Sequence, residues 1–134
     1  MSERQTIGDL LAAARRRIER LEPEAAYRAM TEGALLVDTR SGDDRRATGT
    51  IPGSVHVPLS VLYWRLDPSL GYDDPALSDL ARPVVLLCAH GYSSSLAAAT
   101  LLDLGYASAT DVIGGFEAWA TAGLPVLPPL PGAG

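Results

Sequence analysis

The run Pro83-Val84-Val85-Leu86-Leu87 carries no polar residue at either parity, and it constrains the fold more than any other stretch of the chain. A strand with one wet face alternates apolar and polar residues, whereas a strand apolar throughout is buried on both faces, as in a parallel sheet covered by helices. Ala34-Leu35-Leu36-Val37-Asp38 has the same character, and Ser54-Val55-His56-Val57 and Thr110-Asp111-Val112-Ile113 read as shorter strands. Helical patterns fall between them. Ile7, Leu10, Leu11, Ala14, Ile18 and Leu21 predict an amphipathic helix with Arg15-Arg16-Arg17 on its solvated face. Pro23 opens a second helix that stops at Gly33. Residues 39–50 read as a loop or short helix, Ile51-Pro52-Gly53 as a turn, and Ser60 as the N-cap of a short helix. A loop over Asp67–Asp74 precedes a helix near Pro75–Ala81, and later helices are predicted at Leu96–Leu102, closed by Gly105, and at Phe116–Ala122. The fold class is α/β: three layers, with a mainly parallel central sheet and helices on both faces.

Cys88, the only cysteine, follows the apolar run directly and opens Ala89-His90-Gly91-Tyr92-Ser93-Ser94-Ser95. In open parallel sheets the ligand site lies outside the carboxyl ends of the strands, and a tight loop entering a helix turns backbone N–H groups inward. Such a cradle favours thiolate over thiol, so Cys88 reads as a nucleophile rather than a small buried hydrophobe. Gly91 supplies the positive φ that lets the loop curl.

At 134 residues the chain fits one domain, and no apolar run approaches the roughly 18 residues that span a bilayer. No leader-like start is seen, and one thiol forms no internal disulfide, which together lead to an expected cytoplasmic location. All 11 basic residues are arginine, so lysine Schiff-base chemistry is excluded; the net charge of -5 argues against nucleic acid as a partner. No His, Cys or carboxylate group has metal-ligand spacing, and no cofactor is expected.

Four motifs in order carry a resemblance: Leu36-Val37-Asp38-Thr39-Arg40, Ile51-Pro52-Gly53-Ser54, the Cys88–Ser94 loop, and Gly114-Gly115-Phe116-Glu117-Ala118-Trp119. Together they resemble a single-domain rhodanese of the sulfurtransferase superfamily over roughly residues 22–126. The resemblance implies a rhodanese-like domain there, with residues 1–21 as a helical extension and 127–134 as a Pro/Gly-rich tail. The whole segment 124–134, with four prolines, is expected to be extended or loose. It further implies that Cys88 takes a sulfane sulfur from thiosulfate or a persulfide, holds it as a persulfide, and passes it to cyanide, a thiol or a protein acceptor. A catalytically silent binding module is the alternative, against which the intact cysteine loop argues.

Ala89, His90, Gly91, Tyr92, Ser93 and Ser94 are the expected substrate-binding residues, through inward N–H groups and the hydroxyls of Ser93 and Ser94. Many rhodaneses carry a cation in this loop; here only His90 could serve. Thiosulfate binding is therefore expected to be weak, with Arg65 reaching in to supply charge and Trp64 either flanking the pocket or packing in the core. The segment Tyr63–Pro68 that contains them lies outside the common pattern. His90 is read as standing passively at the mouth and His56 as structural. Asp38 and Arg40 either form a structural salt bridge and turn cap or shape the loop. Related phosphatases and arsenate reductases need a longer loop ending in arginine, and no arginine follows Cys88.

Overall fold

A computed structural model describes residues 4–129. Its elements are α1 (Ile7–Arg16), α2 (Pro23–Thr31), β1 (Leu35–Asp38), α3 (Gly42–Thr48), β2 (Val55–His56), a 3₁₀ turn (Leu59–Val61) running into α4 (Leu62–Leu66), β3 (Val84–Leu87), α5 (Ser93–Asp103), β4 (Ala109–Asp111) and α6 (Gly115–Thr121). The strands form one parallel sheet in the order β2-β1-β3-β4. Successive side chains of a strand point to opposite faces, so the all-apolar strands feed two cores. Leu35, Val37, Val84 and Leu86 pack with Leu62 and Leu66 of α4 and Ala97, Ala98 and Leu101 of α5. Leu36, Val85 and Leu87 pack on the other side with Ala26 of α2 and Phe116 and Trp119 of α6. The three-layer α/β expectation holds, with α1 packed on α5.

From β1 the chain moves outward to β2 and then crosses back to β3 on the other side of β1, so the topological switch lies between β1 and β3. Thr39 N–H donates to the Leu87 carbonyl at 2.8 Å, which holds the carboxyl ends of these two strands side by side.

Two local expectations are corrected. Pro75–Ala81 is not a helix: Asp74 and Asp79 accept from the backbone N–H groups of Ala76 and Ala81 through their side chains, closing isolated turns instead of a continuous ladder. Ser60 caps no helix; it lies inside the 3₁₀ turn that Pro58 opens. Of the two alternatives for the chain after Leu124, residues 125–129 follow the extended one: the buried Trp119 indole needs an acceptor and finds the Pro125 carbonyl at 2.9 Å, while Leu127 bridges Thr50. Residues 130–134 of the expected tail lie outside the described residues.

Trp119 is fully buried and meets the edge of Tyr27 with ring centroids 5.7 Å apart. Trp119→Ala should lower the unfolding free energy by about 3–5 kcal/mol in urea titrations and release residues 124–127 to fast amide exchange.

Candidate active site

Cys88 follows β3 without a spacer and is 6% exposed. Two groups of its own loop and helix meet the sulfur: the Gly91 N–H donates to Sγ at 3.1 Å, and the thiol donates to Ser94 Oγ at 3.2 Å in the first turn of α5. Burial alone would push the thiol up. The hydroxyl and N–H of Ser94, the Ser93 hydroxyl and the Gly91 N–H outweigh it, so the Cys88 pKa lies below the ordinary thiol value.

Glycine is required at two places around this loop. Gly91 has φ +85°, and a Cβ there would stand 2.8 Å from the Gly114 nitrogen and 3.1 Å from an Arg20 guanidinium nitrogen. Gly115 has φ +62°, and a Cβ would overlap the Cys88 carbonyl. That close approach lets the first amides of α6 reach the loop from below: Phe116 N–H donates to the Cys88 carbonyl at 2.8 Å and Glu117 N–H to that of Ala89 at 3.2 Å. The Gly114-Gly115 motif thus holds the loop.

Asp38 and Arg40 form a buried pair beside the loop. The Asp38 carboxylate accepts from Arg40 Nε and Nη2 at 3.0 and 2.9 Å, and Arg40 also donates to Thr48 Oγ1 and the Gly49 carbonyl. The guanidinium lies 3.8 Å from the Phe116 ring centroid, so the pair braces the residue whose N–H holds the Cys88 carbonyl. His56 meets the Arg40 carbonyl at 2.8 Å. His90 and Glu117 pair at 2.7 Å on the exposed rim, between two clefts of about 700 and 570 Å³ to which Ala89, His90 and Tyr92 contribute.

Arg65 is not brought to the loop. Tyr106, at the approach to β4, shares its hydroxyl proton between the Leu66 and Leu77 carbonyls, at 2.7 and 3.2 Å, so α4 ends at the amino end of the sheet. Burial, with the Asp79, Asp67 and Asp73 carboxylates, pushes that phenol up to about 12, so it remains a donor. Arg65 there donates to the Tyr72 carbonyl, and Trp64 is exposed rather than in the core. The solvated-face reading of Arg15-Arg16-Arg17 also needs correction. Arg16 and Arg17 follow it, both exposed and Arg17 in an ion pair with Asp103; Arg15 turns inward onto Ser95 and the Gly91 carbonyl because α1 packs on α5.

Arg15, Arg20 and Asp111 reach the loop without being foreseen, and Ser95, the last residue of the predicted loop, joins them. Asp111 accepts from Ser94 Oγ and Ser95 Oγ, both at 2.7 Å, and from Arg20. Its signal was present, a carboxylate inside a predicted strand of the central sheet; the arginines gave none.

The chain matches the family model "Rhodanese-like domain" over residues 22–122. It is 39% identical over 101 residues to the thiosulfate sulfurtransferase GlpE of Pseudomonas savastanoi, covering 75% of this chain and 86% of that one. The Haemophilus influenzae protein of the same name is 33% identical over 107 residues, covering 79% and 91%. Among solved structures, a Rhodopseudomonas palustris protein described as of unknown function and a possible tyrosine phosphatase aligns with TM-score 0.85 and 30% identity, covering 94% of this chain and 97% of that one. The polysulfide-sulfur transferase homodimer of Wolinella succinogenes aligns with TM-score 0.70 and 28% identity, covering 87% and 83%.

Iodoacetamide should alkylate Cys88 quickly well below pH 8, where an ordinary thiol of pKa about 8.5 reacts slowly. In Ser94→Ala the midpoint of the pH–rate profile should rise, slowing alkylation at pH 7 roughly three- to tenfold. An unchanged midpoint would remove Ser94 from the stabilisation of the sulfur.

Proposed function

The chain belongs to the rhodanese-like domain family, and on that premise we propose that it is a sulfurtransferase working through a persulfide on Cys88. The observation that carries the reading is the sulfur's position at the carboxyl end of β3, beside the topological switch, with the Gly91 N–H and the Ser94 hydroxyl on it. The Cys88 thiolate attacks the outer sulfur of thiosulfate; the S–S bond breaks and sulfite leaves with the electron pair. The persulfide carries the same single negative charge and keeps the same donors. Cyanide or a thiolate then attacks its terminal sulfur, and the Cys88 thiolate is regenerated, so the cycle needs no outside oxidant or reductant. Ala89, His90, Tyr92 and Ser93 complete the loop around the incoming donor, and Asp38 and Arg40 support it.

The surroundings favour a donor or acceptor less charged than thiosulfate. Glu117 stands on the rim, and Glu22 and Glu24 line the larger cleft beside it. A persulfide or polysulfide carried on another thiol, small or on a protein, is therefore proposed as the working donor, with thiosulfate turned over more weakly. Phosphatase chemistry is not proposed, because the chain has no arginine after Cys88 to grip a tetrahedral dianion. Among the described residues no helix is long and apolar enough to cross a membrane. A reducing compartment such as the cytoplasm suits a lone reactive thiol.

Incubation with thiosulfate or polysulfide should add about 32 Da to Cys88 in intact-mass and peptide spectra, as a covalent sulfur intermediate requires. Cys88→Ser should show neither the adduct nor conversion of thiosulfate to thiocyanate; turnover near the wild-type rate would overturn the assignment.

Since Arg65 lies at the far end of the sheet, Arg65→Ala should keep KM for thiosulfate within about twofold of wild type. A larger rise in KM would restore Arg65 to the site.

A further inference from the structure

Two arginines from the segment before the matched family region converge on the cysteine loop, where the loop itself offers no arginine. Residues 19–21 run along β4: Thr110 Oγ1 donates to the Glu19 carbonyl at 2.6 Å, Leu21 N–H to the Asp111 carbonyl at 3.0 Å, and Ile113 N–H to the Leu21 carbonyl at 2.8 Å. Leu21 packs with the α2–α6 core, so its neighbour Arg20 points to the other side, towards α5. There its Nε and Nη2 fork onto Asp111 at 2.8 and 3.1 Å, and Nη2 also donates to the Gly91 carbonyl at 2.9 Å. Arg15, one side of α1, donates to the same carbonyl at 2.8 Å and to Ser95 Oγ at 3.2 Å, and stands 5.7 Å from the Tyr92 ring. The Arg20 side chain is 18% exposed and that of Asp111 fully buried.

We propose that Arg20, with Arg15, is a positioning residue for the Cys88 nucleophile: it clamps the Gly91 carbonyl and neutralises Asp111, so that the Gly91 amide and the Ser94 hydroxyl are free to serve a negative sulfur. Ser94 has a single hydroxyl proton. With Cys88 as a thiol, Ser94 accepts from the sulfur and donates to Asp111. When the sulfur becomes anionic the hydroxyl turns to it, and Asp111 keeps three donors, Ser95 Oγ and two from Arg20. Without Arg20 a buried carboxylate would hold the Ser94 proton and repel the thiolate across one hydroxyl. The other charged groups around the loop are Arg40 and Arg45 with Asp38 at the end of β1, the His90–Glu117 pair on the rim, and Glu22 and Glu24 in the cleft beside it. None of them is bonded to Asp111 or the Gly91 carbonyl.

The inference rests on Cys88 as the reacting thiol and not on its donor, so alkylation reads it even in a protein that turns over no thiosulfate. The experiment compares pH–rate profiles for iodoacetamide alkylation of wild type, Arg20→Gln, Arg20→Lys, Arg15→Gln and Arg17→Ala, each checked for folding by urea titration. Arg20→Gln should react at least about threefold more slowly at pH 7 yet within about twofold of wild type at pH 10, where every thiol is ionised. Arg20→Lys, which keeps the charge, should recover part of the loss. Arg15→Gln leaves no buried carboxylate unpaired, and it carries the test should Arg20→Gln not fold, with a loss of about twofold or more at pH 7. Arg17→Ala breaks an exposed ion pair on the same segment and should leave the profile unchanged. Wild-type profiles for Arg20→Gln and Arg15→Gln, or an equal shift in Arg17→Ala, would overturn the proposal.

Discussion

Pairing of β1 with β3, two strands buried on both faces, is the constraint on which the site depends. Their register sets Asp38 against Leu87, so the next residues of each strand, Thr39-Arg40 and Cys88, leave the sheet together. Thr39 uses both its N–H and its hydroxyl on the Leu87 carbonyl, at 2.8 and 3.0 Å, tying off the last acceptor before the cysteine. Because β1 continues to one side and β3 to the other, neither crossover covers this point. The sulfur therefore has walls made of loop and helix termini but no strand above it.

Two buried carboxylates stand at the ends of β1 and β4, and each is met by the planar fork of an arginine. Asp38 is held by Arg40, two residues on; Asp111 is held by Arg20, far earlier in the chain. A buried ion pair contributes little net stability once desolvation is counted, and breaking one by removing a single partner costs about 3–5 kcal/mol. These pairs are better understood as fixing geometry. Arg40 braces Phe116 under the Cys88 carbonyl, and Arg20 fixes Gly91 and the serine pair above the sulfur. The loop is gripped from both sides of the sheet.

What the sequence revealed follows from the range of the interactions concerned. The doubly apolar strands, Pro23 at the start of α2 and the cysteine at a strand end are decided by neighbours in the chain, and these were legible. Pro75–Ala81 misled because Asp74 and Asp79 spend their side chains on their own turns, a local competition that composition does not rank. Arg65 was placed at the site to supply a missing charge, yet the direction of α4 is set by Tyr106 some 40 residues later in the chain. Arg15 and Arg20 were illegible for the same reason, since their partners Gly91 and Asp111 lie more than 70 residues away. Asp111 alone left a trace, as a charge inside a predicted strand of the central sheet.

Where the positive charge sits also bears on what the loop can select. An arginine inside the loop would offer a planar fork to a tetrahedral dianion and choose ligands by that shape. Here the guanidinium groups lie behind the backbone and bond to the Gly91 carbonyl, so their N–H groups face protein while their field still reaches the sulfur. Only backbone amides and hydroxyls remain for direct contact with the sulfur. Such donors would serve the proposed persulfide as they serve the thiolate, because each carries one negative charge on sulfur. Charge placed behind the loop thus adds to the field at the sulfur without entering the site, which connects the β4-bound residues 19–21 to the end of β3.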